Sequence, residues 1–532
     1  MALYDLVIRN SKIVDGTGSP WFRGDIGVKN GKIDYVGKLP ADVNSTETID
    51  ANGQVLSPGF IDCHCHSDFL LFRDSIMVSK LKQGVTTQMI GPCGLSAAPI
   101  KTEKAEMLDK YAGFIKAGAN PDYNWQSFGD YLDALEKLQL GTNIGAFVGQ
   151  GTIRLNVMGF DPRKPGKEEI EEMRQLVKDA MAQGAFGMSS GLIYPPGVYS
   201  EPEELVEAAK ALREYNGIYL SHIRNESDNV VKAVEELINV AEKAGIACQI
   251  HHHKVCGKKN WGLVNDTVKL VEEARRRGVD MTIDQYPYYA ASTTLRAILP
   301  PWIQEGGIAK VVKRLQDPVL REKVIKDVKN EGDWENYLHQ SGGPKGILVV
   351  YTPATPEYEG KNLEEIGAMT GKDPIEAALD IIVLNNGSDN ACYFMMSEDD
   401  IKDVMKNPLV MIGSDSIPVA PGAKCHPRTN GTFPRVLGKY VREEGTLTLE
   451  DAVRKMTSFP AARFNMQYKG LIREGMDADL VLFNPDIIID GASFEDPFKD
   501  PVGINHVIVN GQIVIKESKF TGKTPGKVMR RS

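Results

Sequence analysis

Ser57-Pro58-Gly59-Phe60-Ile61-Asp62-Cys63-His64-Cys65-His66 is the stretch around which the chain is organised. Short alternating apolar segments precede it, and a long series of strand-then-helix patterns follows. On an extended strand, side chains alternate with period two. Asp62, His64 and His66 then project to one side, and Cys63 and Cys65 to the other. Two imidazoles side by side at a strand end, one step beyond a carboxylate, suit a divalent transition metal. His-x-His alone is a weak signal, but the other candidate ligands also fall at strand ends.

Working outward, apolar strand-like runs recur at residues 55–61, 86–90, 143–148, 184–189, 218–221, 246–250, 279–284 and 409–413. Amphipathic helical stretches lie between them, the clearest at 168–182, 202–215, 229–244 and 265–277. Most carry Glu near the start and Lys or Arg near the end, as the helix dipole favours. Eight strands alternating with helices predict an α/β fold, a closed (β/α)8 barrel with a parallel sheet. More than 120 residues separate the last two runs. Residues 290–350 in that gap read as an insertion between strands 7 and 8, a lid on the face where barrel active sites form.

The two ends of the chain echo each other. Lys29-Asn30-Gly31-Lys32 and Asn510-Gly511-Gln512 are Asn-Gly turns between alternating strands. The expectation is a small β-sandwich domain of residues 1–55 plus 466–532, with the catalytic barrel of 56–465 inserted into it.

The totals agree with a soluble globular protein. The chain has 532 residues, 42% hydrophobic and 25% charged, with a net charge of −9. That balance disfavours nucleic acid or an anionic membrane surface as a partner. No apolar run approaches the roughly 20 residues of a membrane span, and the first residues lack a signal-peptide pattern. Seven cysteines are too few for a disulfide framework, so a cytoplasmic location is expected. A homo-oligomer is compatible with all of this.

Barrel chemistry sits at the carboxyl ends of strands. Strand 1 ends in His64 and His66, strand 2 at Gly91-Pro92-Cys93-Gly94, and strand 5 at His222. Strand 6 ends at His251-His252-His253, and strand 8 at Asp415. Six of the nine histidines lie in these clusters.

Together these motifs resemble the amidohydrolase superfamily, and within it the N-acyl-D-amino-acid deacylase (D-aminoacylase) family. The carrying motifs are Pro58 to His66, Gly91-Pro-Cys-Gly, Gly191-Leu-Ile-Tyr-Pro-Pro-Gly, His222-Ile-Arg-Asn-Glu226 and His252-His253-Lys254. Asp284-Gln-Tyr-Pro-Tyr288, Gly413-Ser-Asp-Ser416, His426-Pro-Arg428 and Gly475-Met-Asp-Ala-Asp479 complete the set. Two departures stand out. Gly149-Gln150-Gly151-Thr152 replaces the Gly-His-Gly-Thr that relatives often carry, and Cys63-His64-Cys65-His66 is unusually rich in cysteine. Many binuclear relatives bridge two metals with a carbamylated lysine after strand 4. Here that strand ends Gly187-Met188-Ser189-Ser190, without a lysine.

The resemblance implies that Cys93 supplies a thiolate instead. Cys93, His222 and His252 would hold one zinc tightly, and His64 and His66 would form a second, weaker site. Among the three adjacent histidines, alternation leaves two arrangements open, and the match to Lys254 selects His252. Asp415 would accept a proton from the attacking water and return it to the leaving amine. Lys254, Arg428, Tyr194 and Tyr286 match family positions for the carboxylate of an N-acyl amino acid substrate. Two alternatives remain at this level: a cyclic-amide hydrolase of the hydantoinase or dihydroorotase type, and a non-catalytic scaffold. The missing lysine argues against the first, and the intact ligand set against the second.

Overall fold

In the computed structural model, which describes residues 3–531 except 117, 331, 333, 418 and 420–422, the apolar run 55–61 is two strands and not one. The chain turns at Gly59, where an added Cβ would lie 2.2 Å from Thr86 Oγ1. Val55–Pro58 pairs antiparallel with Leu480–Phe483, and Phe60–Asp62 pairs parallel with Val85–Ile90. The first strand of the catalytic region is therefore Phe60–Asp62.

Parallel strands follow in the anticipated order, but in two ladders. One is three-stranded: Phe60–Asp62, Val85–Ile90 and Asn143–Ala146. The other is six-stranded and runs through Val148–Gly149, Gly187–Gly191, Ile218–His222, Ala247–Ile250, Met281–Gln285 and Val410–Ile412. At one junction the chain passes directly from Ala146 to Val148, with the Phe147 amide donating to Ile90 O at 2.8 Å. At the other, Asp415 N donates to His64 O at 2.7 Å and His66 N to Ser416 O at 2.9 Å. Ile61, Met89, Phe147, Phe186, Leu220 and Met411 pack in one cluster drawn from both ladders.

Helices Lys167–Ala182, Pro202–Lys210, Val230–Ala244 and Val264–Arg276 cover the strands. Their buried residues Val177, Leu205, Val234 and Val271 join the core that holds Tyr219, Ile250 and Ile283. Each such side chain removed from water contributes roughly 1.5–3 kcal/mol.

The chain ends share a sheet, as anticipated, through one hydrogen-bonded run of nine strands. The long strand Tyr4–Ile13 pairs antiparallel with Phe22–Lys29, with a register shift between Ile8 and Ser11, and parallel with Ser45–Asp50 through residues 4–9 and with Val55–Pro58 through residues 12–13. Its inward side chains Leu6, Ile8 and Ile13 then share a core with Leu480, Leu482 and Ile508.

The insertion is larger than residues 290–350. Ala290–Thr293 pairs with Asn390–Phe394, which also pairs with Ile347–Tyr351, so the segment cannot end before residue 394. Together with Lys361–Asn362 these strands form a separate four-stranded sheet.

Candidate metal centre

Four side chains converge where the strands end. Ligand-type atoms of His64, Cys93, His252 and Asp415 all lie within 4.8 Å of one another, and all four residues are buried. Cys93 Sγ is 3.4 Å from His64 Nε2 and 3.3 Å from His252 Nε2. Asp415 Oδ1 is 3.3 Å from His64 Nε2 and 3.4 Å from His66 Nε2. A thiol, two imidazoles and a carboxylate form a donor set that fits zinc.

The backbone at three of these residues is unusual. Cys93, His252 and Asp415 have φ of 54°, 34° and 47°, a left-handed region that costs a non-glycine residue energy. Each sits just past a strand end, where the turn aims its side chain at the common point. Strand alternation alone does not give these directions.

Both imidazoles nearest Cys93 are oriented from behind. His64 Nδ1 is 2.9 Å from Asp284 Oδ1, and His252 Nδ1 is 3.1 Å from Glu226 Oε1. His64, donating Nδ1–H to Asp284, leaves its Nε2 lone pair for a metal. Asp284 is itself fixed by the His252 amide at 2.7 Å and Gln249 Nε2 at 2.6 Å. Neither Asp284 nor Glu226 receives a role from the sequence, although both lie inside the motifs quoted above. Their position after strands 7 and 5 is the available signal.

His222 falls in an adjoining cluster with Glu226 and His252. Its ring meets His252 edge-on at 4.4 Å between centroids. Neither of its ring nitrogens has a hydrogen-bond partner among the described residues, and the side chain is buried. Buried orphaned imidazole nitrogens carry a desolvation cost that a metal ligand recovers. His66 Nδ1 is orphaned in the same way. His251 sits beside Cys93, its Nδ1 4.0 Å from Sγ, while His253 Nε2 bonds Thr267 Oγ1 at 2.8 Å, away from the centre.

Burial would lower His64, but Asp284, Cys93 and Asp415 hold it well above the ordinary imidazole value. Burial lowers the pKa of His222 and His252 well below the ordinary imidazole value, so both rings are neutral at pH 7. Burial would raise Asp415, but Arg428 together with His252 and His64 holds it well below the usual carboxylate range. Burial pushes the Cys93 thiol up to about 11, against the opposing pull of His64. A metal at this point would displace that proton.

The remaining anticipated residues divide. Lys254, Tyr194 and Tyr286 wall a tight cavity of about 20 Å³ together with the centre. Lys254 Nζ bonds Glu226 Oε1 at 2.5 Å and His252 Nδ1 at 2.8 Å. Tyr194 OH lies 3.0 Å from Thr293 Oγ1, on the insertion. Arg428 is elsewhere: fully buried, with Nη1 2.7 Å from Asp415 Oδ2 and its guanidinium 4.5 Å over the Tyr286 ring. A larger open hollow of about 380 Å³ adjoins the cavity, and Phe114, Tyr194 and Tyr337 wall both. Gln150, the departure noted above, bonds Ser200 Oγ at 2.8 Å and Glu204 Oε1 at 3.0 Å in a buried network.

Known proteins with this architecture share its length. A D-aminoacylase of Alcaligenes xylosoxydans xylosoxydans is 35% identical over 533 residues, 99% of this chain and 98% of that protein. The crystal structure of an N-acyl-D-glutamate deacylase from Bordetella bronchiseptica, complexed with zinc and a phosphonate mimic of the tetrahedral intermediate, superposes with a TM-score of 0.83. It is 33% identical and covers 99% of both chains. A D-aminoacylase structure described as having a binuclear metal centre gives 0.84 at 34% identity, covering 99% of this chain and 100% of that one. The model of the amidohydrolase family matches residues 47–515, and on that span and those relatives the chain belongs to the amidohydrolase family.

Proposed function

We propose that this enzyme hydrolyses the amide bond of N-acyl-D-amino acids, releasing a carboxylate and a free D-amino acid. The observation that carries the reading is the buried convergence of His64, Cys93, His252 and Asp415, with His66 and His222 adjoining. Cys93, His222 and His252 would hold one zinc firmly; His64 and His66 would hold a weaker second. When bound, the metal supplies Lewis-acid polarisation of the scissile carbonyl and water reactive near neutral pH.

The chain's own residues do the rest. Asp415 takes the proton of the attacking water on Oδ1, the oxygen facing the histidines, and returns it to the leaving amine. Arg428 keeps Asp415 ionised by holding Oδ2. Lys254, Tyr286 and Tyr194 receive the substrate carboxylate in the cavity, and Arg428 adds positive field behind Tyr286. The barrel, which begins at Phe60, carries this chemistry, and the insertion walls the substrate space. Among the described residues no helix is long and apolar enough to cross a membrane. We place the enzyme in the cytoplasm, acting on a small molecule, with no nucleic-acid or membrane partner.

The test pairs elemental metal analysis with free-amine detection on a panel of N-acetyl-D- and L-amino acids. Bound zinc with release from the D series supports the reading. Bound metal with hydrolysis of hydantoins and not of linear amides would overturn it. Asp415→Ala should lower turnover by about 100-fold or more while keeping its metal.

A further inference from the structure

Lys80 is fully buried in the short helix Val78–Leu81, between the first two strands of the catalytic region. A buried ammonium must spend all three of its N–H donors. Lys80 Nζ does so on Asp62 Oδ2 at 2.6 Å, Ser414 Oγ at 2.9 Å and Ser416 Oγ at 2.7 Å. Those two serines flank Asp415. Asp62, also fully buried, completes the clamp: its Oδ1 accepts the Ser414 amide at 2.8 Å and its Oδ2 the Ser414 hydroxyl at 2.6 Å. Asp415 sits between the two gripped residues at φ 47°, a conformation its neighbours must impose. The same segment carries the junction between the two ladders, through Asp415 N to His64 O and His66 N to Ser416 O.

We infer that Lys80 is a positioning residue: with Asp62 it grips Ser414 and Ser416 and so sets where the Asp415 carboxylate stands against His64 and His66. Neither Lys80 nor Asp62 touches the substrate cavity or the converging ligand atoms. The inference rests on Asp415 as the proton acceptor. The ion pair ties strand 1 to the strand 8 loop without contributing a ligand, so its loss should displace Asp415 and leave the zinc on Cys93, His222 and His252 in place. Misplacement of a reacting group by about 1 Å costs about 100-fold in rate.

The experiment compares kcat, KM and metal content of zinc-loaded Lys80→Met, Ser416→Ala and Ser416→Thr with wild type on N-acetyl-D-amino acids. The expected result for Lys80→Met is a kcat lowered about 100-fold, with KM and metal content unchanged. Ser416→Ala should lose part of kcat in the same pattern, and Ser416→Thr, which keeps the hydroxyl, should regain it. Should Lys80→Met not fold, the serine pair decides, because it leaves the Lys80–Asp62 ion pair intact. Wild-type kcat in folded Lys80→Met or in Ser416→Ala overturns the inference, and so does a loss that follows metal content. Asp415→Asn run alongside separates the two ideas. If it stays active, the base assignment has failed; if it is dead while Lys80→Met is active, only the positioning role has.

Discussion

Asp415 divides its two oxygens between opposite partners: Oδ2 lies 2.7 Å from Arg428 Nη1, while Oδ1 faces His64 Nε2 at 3.3 Å. A carboxylate buried this deeply would ordinarily titrate high. Burial is the largest influence on it, and the guanidinium is the largest influence opposing burial. Replacing Arg428 with Met therefore releases Asp415 upward. A base whose pKa rises is lost at higher pH, so the acid limb of kcat/KM should move to higher pH in Arg428→Met. Rate at neutral pH should fall by about 100-fold, the scale of a misprotonated general base. A pH–rate profile from the acid to the alkaline limb checks this. An unmoved acid limb would show that Arg428 does not hold the base ionised.

Asp284 reaches the centre through other residues. Its Oδ1 takes His64 Nδ1 at 2.9 Å and the His252 amide at 2.7 Å, so one carboxylate sets two candidate ligands. Asp284→Asn keeps the shape and removes the charge. Zinc affinity should weaken by about 10- to 100-fold, as for other carboxylates behind histidine ligands. Competition with a chromogenic chelator measures it, and an unchanged dissociation constant would leave Asp284 a packing residue.

Cys93 makes metal uptake depend on pH. Its thiol, raised to about 11, is protonated throughout the neutral range, so each metal bound must expel that proton. Zinc affinity should climb by up to about tenfold per pH unit for that proton, and Cys93→Ala should flatten the slope as well as weaken binding. Chelator treatment of wild type should abolish turnover and lower Tm, since a ligand held at about 1,000 times its Kd stabilises the folded chain by about 4 kcal/mol. Zinc or cobalt should restore both. Calorimetry and assay on the same stripped sample distinguish this from a chain that never needed metal.

Much of this site was legible because metal ligation demands particular residue types at strand ends. His64, His66, Cys93, His252 and Asp415 all follow apolar runs, and the structure brings them together. Their aim was not legible. It depends on positive φ at Cys93, His252 and Asp415, which no residue type announces the way glycine does. Gly59 hid a boundary for the opposite reason. The residues on both sides of it are apolar and continue one pattern, so the break shows only in the close approach of Thr86. Arg428 shows a further limit: its motif marks importance, but only the fold reveals that its guanidinium is on Asp415. The extent of the insertion depends on pairing between Ala290–Thr293 and Asn390–Phe394, about 100 residues apart, which local periodicity cannot report.

Glu335, on that insertion, escapes sequence reasoning and carries the last prediction. Its Oε1 accepts the Glu226 amide at 2.7 Å, whereas Oε2 is buried with no hydrogen-bond partner found for it among the described residues. Burial, reinforced by the nearby Glu226 carboxylate, pushes its carboxyl from an ordinary 4.5 up to about 8. Folding therefore favours the protonated form. The stability Glu335 supports is fully present below the carboxyl's unfolded pKa of about 4.3 and is lost as pH rises through its folded value. Glu335→Gln keeps the acceptor for the Glu226 amide and cannot ionise. Its Tm should therefore gain on wild type steadily between about pH 5 and pH 9. The comparison is a thermal melt of both proteins in matched buffers across that range, with metal held saturating. Parallel curves would mean that Glu335 ionises freely in the folded protein and that water reaches the hollow it walls with Trp334 and Tyr337.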